Sequence, residues 1–82
     1  MKITVTQKDI NKGIPRIGDK CPIALAIKRK THKYVQVGCT YAWVKLKNRM
    51  VTYVLPDTVV QFIKDFDENR KVRPFSVKLK PL

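Results

Sequence analysis

The sequence is poor in the residue types that hold metals, form disulfides and act in acid–base catalysis. Its 82 residues include two cysteines, Cys21 and Cys39, and one histidine, His32. Two cysteines are too few for a disulfide framework or for a zinc site with four protein ligands. We expect both to be buried free thiols in a reducing compartment, and we expect neither a metal nor a cofactor.

A catalytic role finds little support among the few reactive side chains. His32 has no carboxylate within four residues to orient it. Cys21 stands at a predicted helix start beside Lys20, a setting that favours the reactive thiolate, but no histidine or second cysteine is near it in the sequence. We therefore assign no catalytic residue and predict that the protein is not an enzyme.

Acidic residues are also scarce, since six Asp and Glu stand against 18 Lys and Arg, for a net charge of +12. So much positive charge on a small domain repels itself and costs stability. It also raises the local concentration of polyanions and speeds encounter with phosphate-bearing partners. The composition therefore indicates a binding protein for nucleic acid or for another acidic partner.

Long apolar runs are absent, and none approaches the 18 or so residues of a membrane-spanning helix. Residues 1–6 lack the pattern of a signal peptide. Because 44% of the residues are apolar, we predict a folded chain rather than a disordered one, with a single small basic domain over residues 1–82. We expect no membrane association and a cytoplasmic location.

Periodicity in the first half of the chain predicts one strand and two helical segments. Residues 3–6 alternate like a half-buried strand, and Thr6 and Asp9 resemble a capping box for one short helical turn. Pro22 suits the first position of a longer helix, which should end near residues 31–32.

The second half predicts a sheet followed by a helix and a last strand. Residues 34–55 are rich in Val, Tyr, Thr and Trp and indicate a β-meander with a hairpin loop at residues 47–49. A helix that opens at Pro56 carries an apolar stripe made of Val59, Phe62, Ile63 and Phe66. With a last strand over residues 72–79, the order is β-α-β-β-β-α-β. This is an α+β fold in which two helices cover one face of a mixed or antiparallel sheet.

The densest run of positive charge ends the first long helix beside an aromatic ring. Its cations are Lys28, Arg29, Lys30 and Lys33, and Tyr34 follows them. Such cations neutralise phosphates with release of counterions, and a ring can stack on an unpaired base. The alternative is a solvated helix end whose charges only complement the helix dipole.

A second basic and aromatic group lies on the predicted hairpin. Because side chains alternate along a strand, Tyr41, Trp43 and Lys45 project together to one face. The residues between them are more uniformly apolar, so we predict that the aromatic pair lies on the open face. The alternative is the opposite register, with the aromatic pair in the core. The further cations that we assign to nucleic acid are Lys47, Arg49, Lys78 and Lys80.

Four segments carry a resemblance to known sequences. They are Asp9-Ile10-x-x-Gly13, Cys21-Pro22-Ile23-Ala24-Leu25-Ala26, Leu55-Pro56 followed by Phe62-Ile63-x-x-Phe66-Asp67, and Val72-x-Pro74-Phe75. In these segments the chain resembles small uncharacterised proteins encoded by bacteriophages and related bacterial genomes. The matched residues are mostly turns, caps and core positions, so the resemblance implies a shared fold and a viral accessory setting, with the host cell cytoplasm as the location. It implies no activity.

Two function hypotheses follow from the sequence. The first is binding of nucleic acid by a basic face with aromatic participation. The second is a phage-encoded protein that binds a host protein, such as a defence protein, and inhibits or modulates it. A homodimer through an exposed sheet edge or through the Tyr41–Trp43 face is a further hypothesis. DNA, RNA and protein partners all stay open at this point.

Overall fold

The fold is known from a computed structural model that describes residues 1–82. In chain order the elements are β1 (Lys2–Val5), α1 (Gln7–Lys12), α2 (Pro22–Thr31), β2 (Val35–Val37), β3 (Tyr41–Lys45), β4 (Met50–Val54), α3 (Asp57–Asp67), β5 (Phe75–Lys78) and β6 (Lys80–Pro81). The predicted α+β class is confirmed. The order differs from the prediction in that the short helical turn counts as a third helix and the last strand is divided in two.

The strands form two antiparallel sheets, where the sequence predicted one. β1 pairs with β5, and β2, β3, β4 and β6 form a four-stranded sheet in that order. The last strand begins at Phe75, three residues later than predicted, and changes partner at Leu79. Leu79 exchanges backbone hydrogen bonds with Met1, and Lys80 then pairs with β4. Alternation alone does not encode this change of partner, because Phe75, Val77 and Leu79 follow one inward-facing pattern up to the point where it occurs.

One hydrophobic core lies between the helices and the sheets. α2 packs against β1 of the small sheet and against β2 of the large one, and its Ile23 and Ile27 are fully buried. α3 adds Val59 and Phe62 from its apolar stripe, as its periodicity predicts. The helices therefore cover one face of each sheet, and the other face of each sheet is open.

The predicted capping box of α1 and the predicted end of α2 are found in the structure. The N–H of Thr6 donates to Asp9 Oδ2 at 2.9 Å and the N–H of Asp9 donates to the Thr6 hydroxyl at 3.2 Å, which completes the capping box of α1. α2 ends at His32 in the left-handed conformation, with φ of 57°. Asn69 takes the same conformation just after α3, with φ of 61°. These positions stop each helix and turn the chain back towards a sheet.

The buried carboxylate of Asp9 joins α1 to α2. Arg29 Nη1 donates to Asp9 Oδ1 at 2.6 Å, while Nη2 donates to Asp9 Oδ2 at 3.0 Å and to the Thr4 carbonyl at 2.7 Å. Burial raises the pKa of Asp9, but the hydrogen bonds from Arg29 and Thr6 and the charge of Arg29 outweigh it and lower the pKa below its ordinary value. Arg29 therefore has a structural role that its place in a basic run does not reveal.

We expect Asp9→Asn to lower the free energy of unfolding by about 1–3 kcal/mol at neutral pH, because it removes the charged partner of Arg29 and weakens the capping box. The folded-state pKa of Asp9 lies below the unfolded-state value, so its stabilisation is present above about pH 4 and is lost as the pH falls through the folded-state pKa. Urea unfolding should show a difference between variant and parent that shrinks as the pH is lowered from about 7 towards 2.

The control for this variant is Glu68→Gln, which removes an exposed ion pair with Arg70. Exposed ion pairs contribute about 0–1 kcal/mol to the free energy of unfolding, so this change should lower stability little at any pH. If Asp9→Asn lowered the free energy of unfolding by the same amount at about pH 7 and at about pH 2, the depressed pKa of Asp9 would be contradicted.

Candidate nucleic-acid interface

The pattern of burial along β3 shows which of its side chains face the core. Ala42 and Val44 lie in the core, and Tyr41 and Lys45 are exposed on the opposite face, with Trp43 between them. The predicted register is confirmed, and the alternative that put the aromatic pair in the core is wrong. Trp43 is partly buried rather than fully exposed, which the alternation did not predict.

Cross-strand pairing extends this face over four strands. Gln36 of β2 and Thr52 of β4 both lie opposite Trp43. The hydroxyl of Tyr34 donates to Gln36 Oε1 at 2.9 Å, which places a third aromatic ring on the same side. We call this surface the open sheet face, and its residues are Tyr34, Gln36, Tyr41, Trp43, Lys45, Met50, Thr52, Val54, Lys80 and Leu82.

The open sheet face holds most of the apolar side chains that the protein leaves in contact with water. Seven large hydrophobic residues are exposed, and all but two lie on this face. The two exceptions, Ile14 and Ile17, belong to the loop before α2. The five on the face are Tyr34, Tyr41, Met50, Val54 and Leu82. A concentration of exposed apolar side chains on one surface is typical of a binding site.

The two aromatic rings of β3 lie side by side. Their centroids are 6.3 Å apart and their planes are inclined by 45°. The ring of Trp43 rests against Gly38, in the turn between β2 and β3. A Cβ atom at Gly38 would lie 2.9 Å from Cζ3 of Trp43 and 3.0 Å from Cη2. Glycine therefore leaves the space in which the Trp43 ring is held.

The charged residues on the strands of this face are all positive. No Asp or Glu occurs between Asp19 and Asp57, or after Glu68, so none of the six strands carries an acid. Lys45 and Lys80 belong to the open sheet face itself. The exposed turn that joins β3 to β4, closed by a hydrogen bond from the Leu46 N–H to the Arg49 carbonyl of 2.8 Å, carries the predicted cations Lys47 and Arg49. None of these four cations forms an ion pair.

The structure separates the four cations predicted at the end of α2. Arg29 is held by Asp9, as described above. Lys28 Nζ donates to the carbonyl of Asp19 and lies 5.9 Å from the centre of the Tyr34 ring, at the border of the open sheet face. Lys30 and Lys33 are exposed and unpaired. Two of the four side chains are therefore engaged within the protein, and two are free to contact a ligand.

Lys78 lies on the other sheet and not with Lys80 on the open sheet face. It is directly opposite Lys2 in the pairing of β5 with β1, and the two residues are exposed. Beside them the hydroxyls of Thr4 and Ser76 lie 2.9 Å apart. Like charges directly opposite each other destabilise a sheet. Lys78 on the small sheet and Lys80 on the open sheet face are separated in the sequence only by Leu79, whose side chain is buried.

The two cysteines have different environments. Both are free thiols, as predicted, but Cys39 is exposed in the turn after β2, where we expected a buried side chain. Cys21 is buried at the start of α2. Burial raises the pKa of its thiol, and the negative charge of Asp67 adds to the increase. Cys21 therefore stays in the thiol form at neutral pH, whereas its place beside Lys20 suggested a more reactive thiolate.

Three further findings bear on the type of site. No helix is long and apolar enough to cross a membrane. No group of three or more His, Cys, Asp or Glu side chains is placed to hold a metal ion. Comparison of the chain with models of protein families, with curated proteins and with solved structures finds no match.

Proposed function

We propose that the protein binds nucleic acid on the open sheet face, in the cytoplasm. Lys45, Lys47, Arg49 and Lys80 neutralise phosphates, and Tyr41 and Trp43 contact bases. The observation that carries this proposal is the pair of rings on a sheet face that has unpaired cations and no acid. Cations supply affinity through counterion release, and rings add stacking that tolerates any base sequence.

The positions of the acidic residues support the open sheet face as the surface that binds phosphates. All six lie in α1, in α3 with the residue that follows it, or in the loop before α2. Several are already engaged there, since Asp9 pairs with Arg29 and Arg70 pairs with Asp65 and Glu68. The cations of the open sheet face therefore have no acid on the same strands to offset them, which favours the approach of a polyanion to this face.

A charge-neutralised hairpin tests the proposal. The triple variant Lys45→Gln, Lys47→Gln, Arg49→Gln should bind an oligonucleotide at least about tenfold more weakly at low salt. Its slope of log affinity against log salt should be shallower by about 2, since each phosphate contact contributes about 0.7 for a single strand. Fluorescence anisotropy of a labelled oligonucleotide measures both quantities.

The matched control removes three charges from the helical side, in the variant Lys8→Gln, Lys12→Gln, Lys64→Gln. These lysines are exposed on α1 and α3. This control has the same net charge as the hairpin variant, so any difference between the two reports the position of the charge. Equal losses in both variants would contradict a site on the open sheet face and indicate binding by net charge alone.

A second candidate function is favoured by the apolar part of the same face. Met50, Val54 and Leu82 are exposed beside the rings, and aromatic residues and Met are enriched in protein interfaces. The partner would be an acidic host protein that a phage accessory protein inhibits or modulates. Recovery of the tagged protein from cells with and without nuclease separates the two functions. This second function would be favoured by a protein partner that is still recovered after nuclease treatment and is not recovered with a Met50→Gln, Val54→Thr variant.

A further inference from the structure

We infer that the nucleic acid bound on the open sheet face is single-stranded, with consecutive bases unstacked from each other and stacked on Tyr41 and Trp43. This inference rests on the proposed function and specifies its ligand. It comes from the spacing of the two rings, from the width of the sheet and from the contact between Trp43 and Gly38.

The ring spacing fits an unstacked strand. The centroids of Tyr41 and Trp43 are 6.3 Å apart, whereas consecutive bases along one strand of a duplex are about 3.4 Å apart. Two neighbouring bases can each cover one ring only if they separate to about twice the duplex spacing. The planes are inclined by 45°, so the rings do not form a parallel slot for one base. In a duplex the faces of the bases are hidden by stacking, and single strands leave them free.

The width of the sheet argues against entry into a duplex groove. The β3–β4 hairpin resembles the two-stranded ribbons that some proteins place in the major groove, but here β2 and β6 flank it on both sides. Four strands spaced by about 4.8 Å span about 14 Å between the outermost backbones, before side chains are added. The major groove is about 12 Å wide. Only the exposed turn with Lys47 and Arg49 is left to approach a duplex, and it offers contacts to phosphates without the rings.

Gly38 is a positioning residue in this arrangement. A methyl group at this position would lie within 3.0 Å of two carbons of the Trp43 ring, so the ring must move to accept it. The φ of Gly38 is not positive, and an alanine there brings no backbone strain of the left-handed kind. Gly38→Ala therefore displaces the stacking surface while it leaves every charge and both aromatic residues in the chain.

The experiment compares a single-stranded oligonucleotide of about 12 nucleotides with a duplex of the same sequence and length at one salt concentration. We expect the single strand to bind at least about tenfold more tightly and to quench the fluorescence of Trp43, which is the only tryptophan. Gly38→Ala should weaken single-strand binding about three- to tenfold and leave duplex binding unchanged. Circular dichroism of the variant shows that it is folded, independently of binding. Trp43→Phe keeps a ring at this position and should retain the preference for the single strand.

The outcomes separate this inference from the function on which it rests. Equal or tighter binding of the duplex would overturn the single-strand inference and leave nucleic-acid binding in place. No measurable binding of either form at low salt would overturn both. Single-strand binding that is unchanged in a Tyr41→Ala, Trp43→Ala variant would also overturn the inference, because the rings would then contribute nothing.

Discussion

Replacing Phe62 with alanine is expected to lower the free energy of unfolding by about 3–5 kcal/mol. Phe62 is 8% exposed and lies in the middle of α3. Its ring centroid lies 6.3 Å from that of Phe66 on the same helix and 4.9 Å from that of Phe75 on β5. Truncation would leave a cavity where α3 meets the small sheet. Domains are typically stable by only about 5–15 kcal/mol, so a loss of this size removes a large share of the stability of a small domain.

Urea unfolding followed by circular dichroism measures this loss. The control is Val54→Ala, which removes an exposed side chain of the open sheet face (40% exposed) and should cost less than about 1 kcal/mol. A loss below about 1 kcal/mol for Phe62→Ala would show that α3 does not pack on the core as described.

The double variant Tyr41→Ala, Trp43→Ala is expected to bind single-stranded nucleic acid about a hundredfold more weakly than the parent. Each stacked base contributes about 1–3 kcal/mol by alanine substitution, and two rings are removed. The slope of affinity against salt should stay the same, because no charge changes. Trp43 is partly buried against Gly38, so the variant should also lose stability, by about 1–2 kcal/mol. This cost arises from the partial burial of Trp43, since a fully exposed ring would give up little buried area.

Thr52→Ala is the matched control for the double variant. Thr52 lies directly opposite Trp43 on the same face, so its truncation alters the surface without removing a ring. It should leave affinity within about twofold of the parent. An equal loss of affinity in Thr52→Ala would mean that the shape of the face, and not stacking, determines binding.

The parts of the fold that were predictable depend on local pattern. The β3–β4 hairpin follows from alternation on both sides of a short polar turn, and α3 follows from an apolar stripe at helical spacing. The division of the last strand could not be predicted, because the alternation of Phe75, Val77 and Leu79 is unbroken up to the point where the chain leaves the small sheet and pairs with β4. The pairing of strands depends on packing between segments that are far apart in the sequence, and in this protein it produces two separate sheets.

The candidate site was predictable in part for the same reason. The face of Tyr41 and Lys45 follows from alternation along one strand, but the structural role of Arg29 depends on Asp9, which is 20 residues away. Tyr34 follows the basic run in the sequence, but its place on the open sheet face depends on the pairing of β2 with β3. The exposure of Cys39 depends on the turn before β3. Each of these features is a contact between elements, which composition and periodicity do not specify.

The measurement that tests the central claim most directly is the salt dependence of binding of the unmodified protein to a single-stranded oligonucleotide. Four unpaired cations, Lys45, Lys47, Arg49 and Lys80, lie on or beside the open sheet face. If each neutralises one phosphate, log affinity should fall linearly with log salt, with a slope of about −3. The fluorescence of Trp43 should change along the same binding curve. Affinity that is unmeasurable at low salt, or that does not change with salt, would contradict nucleic-acid binding by this face.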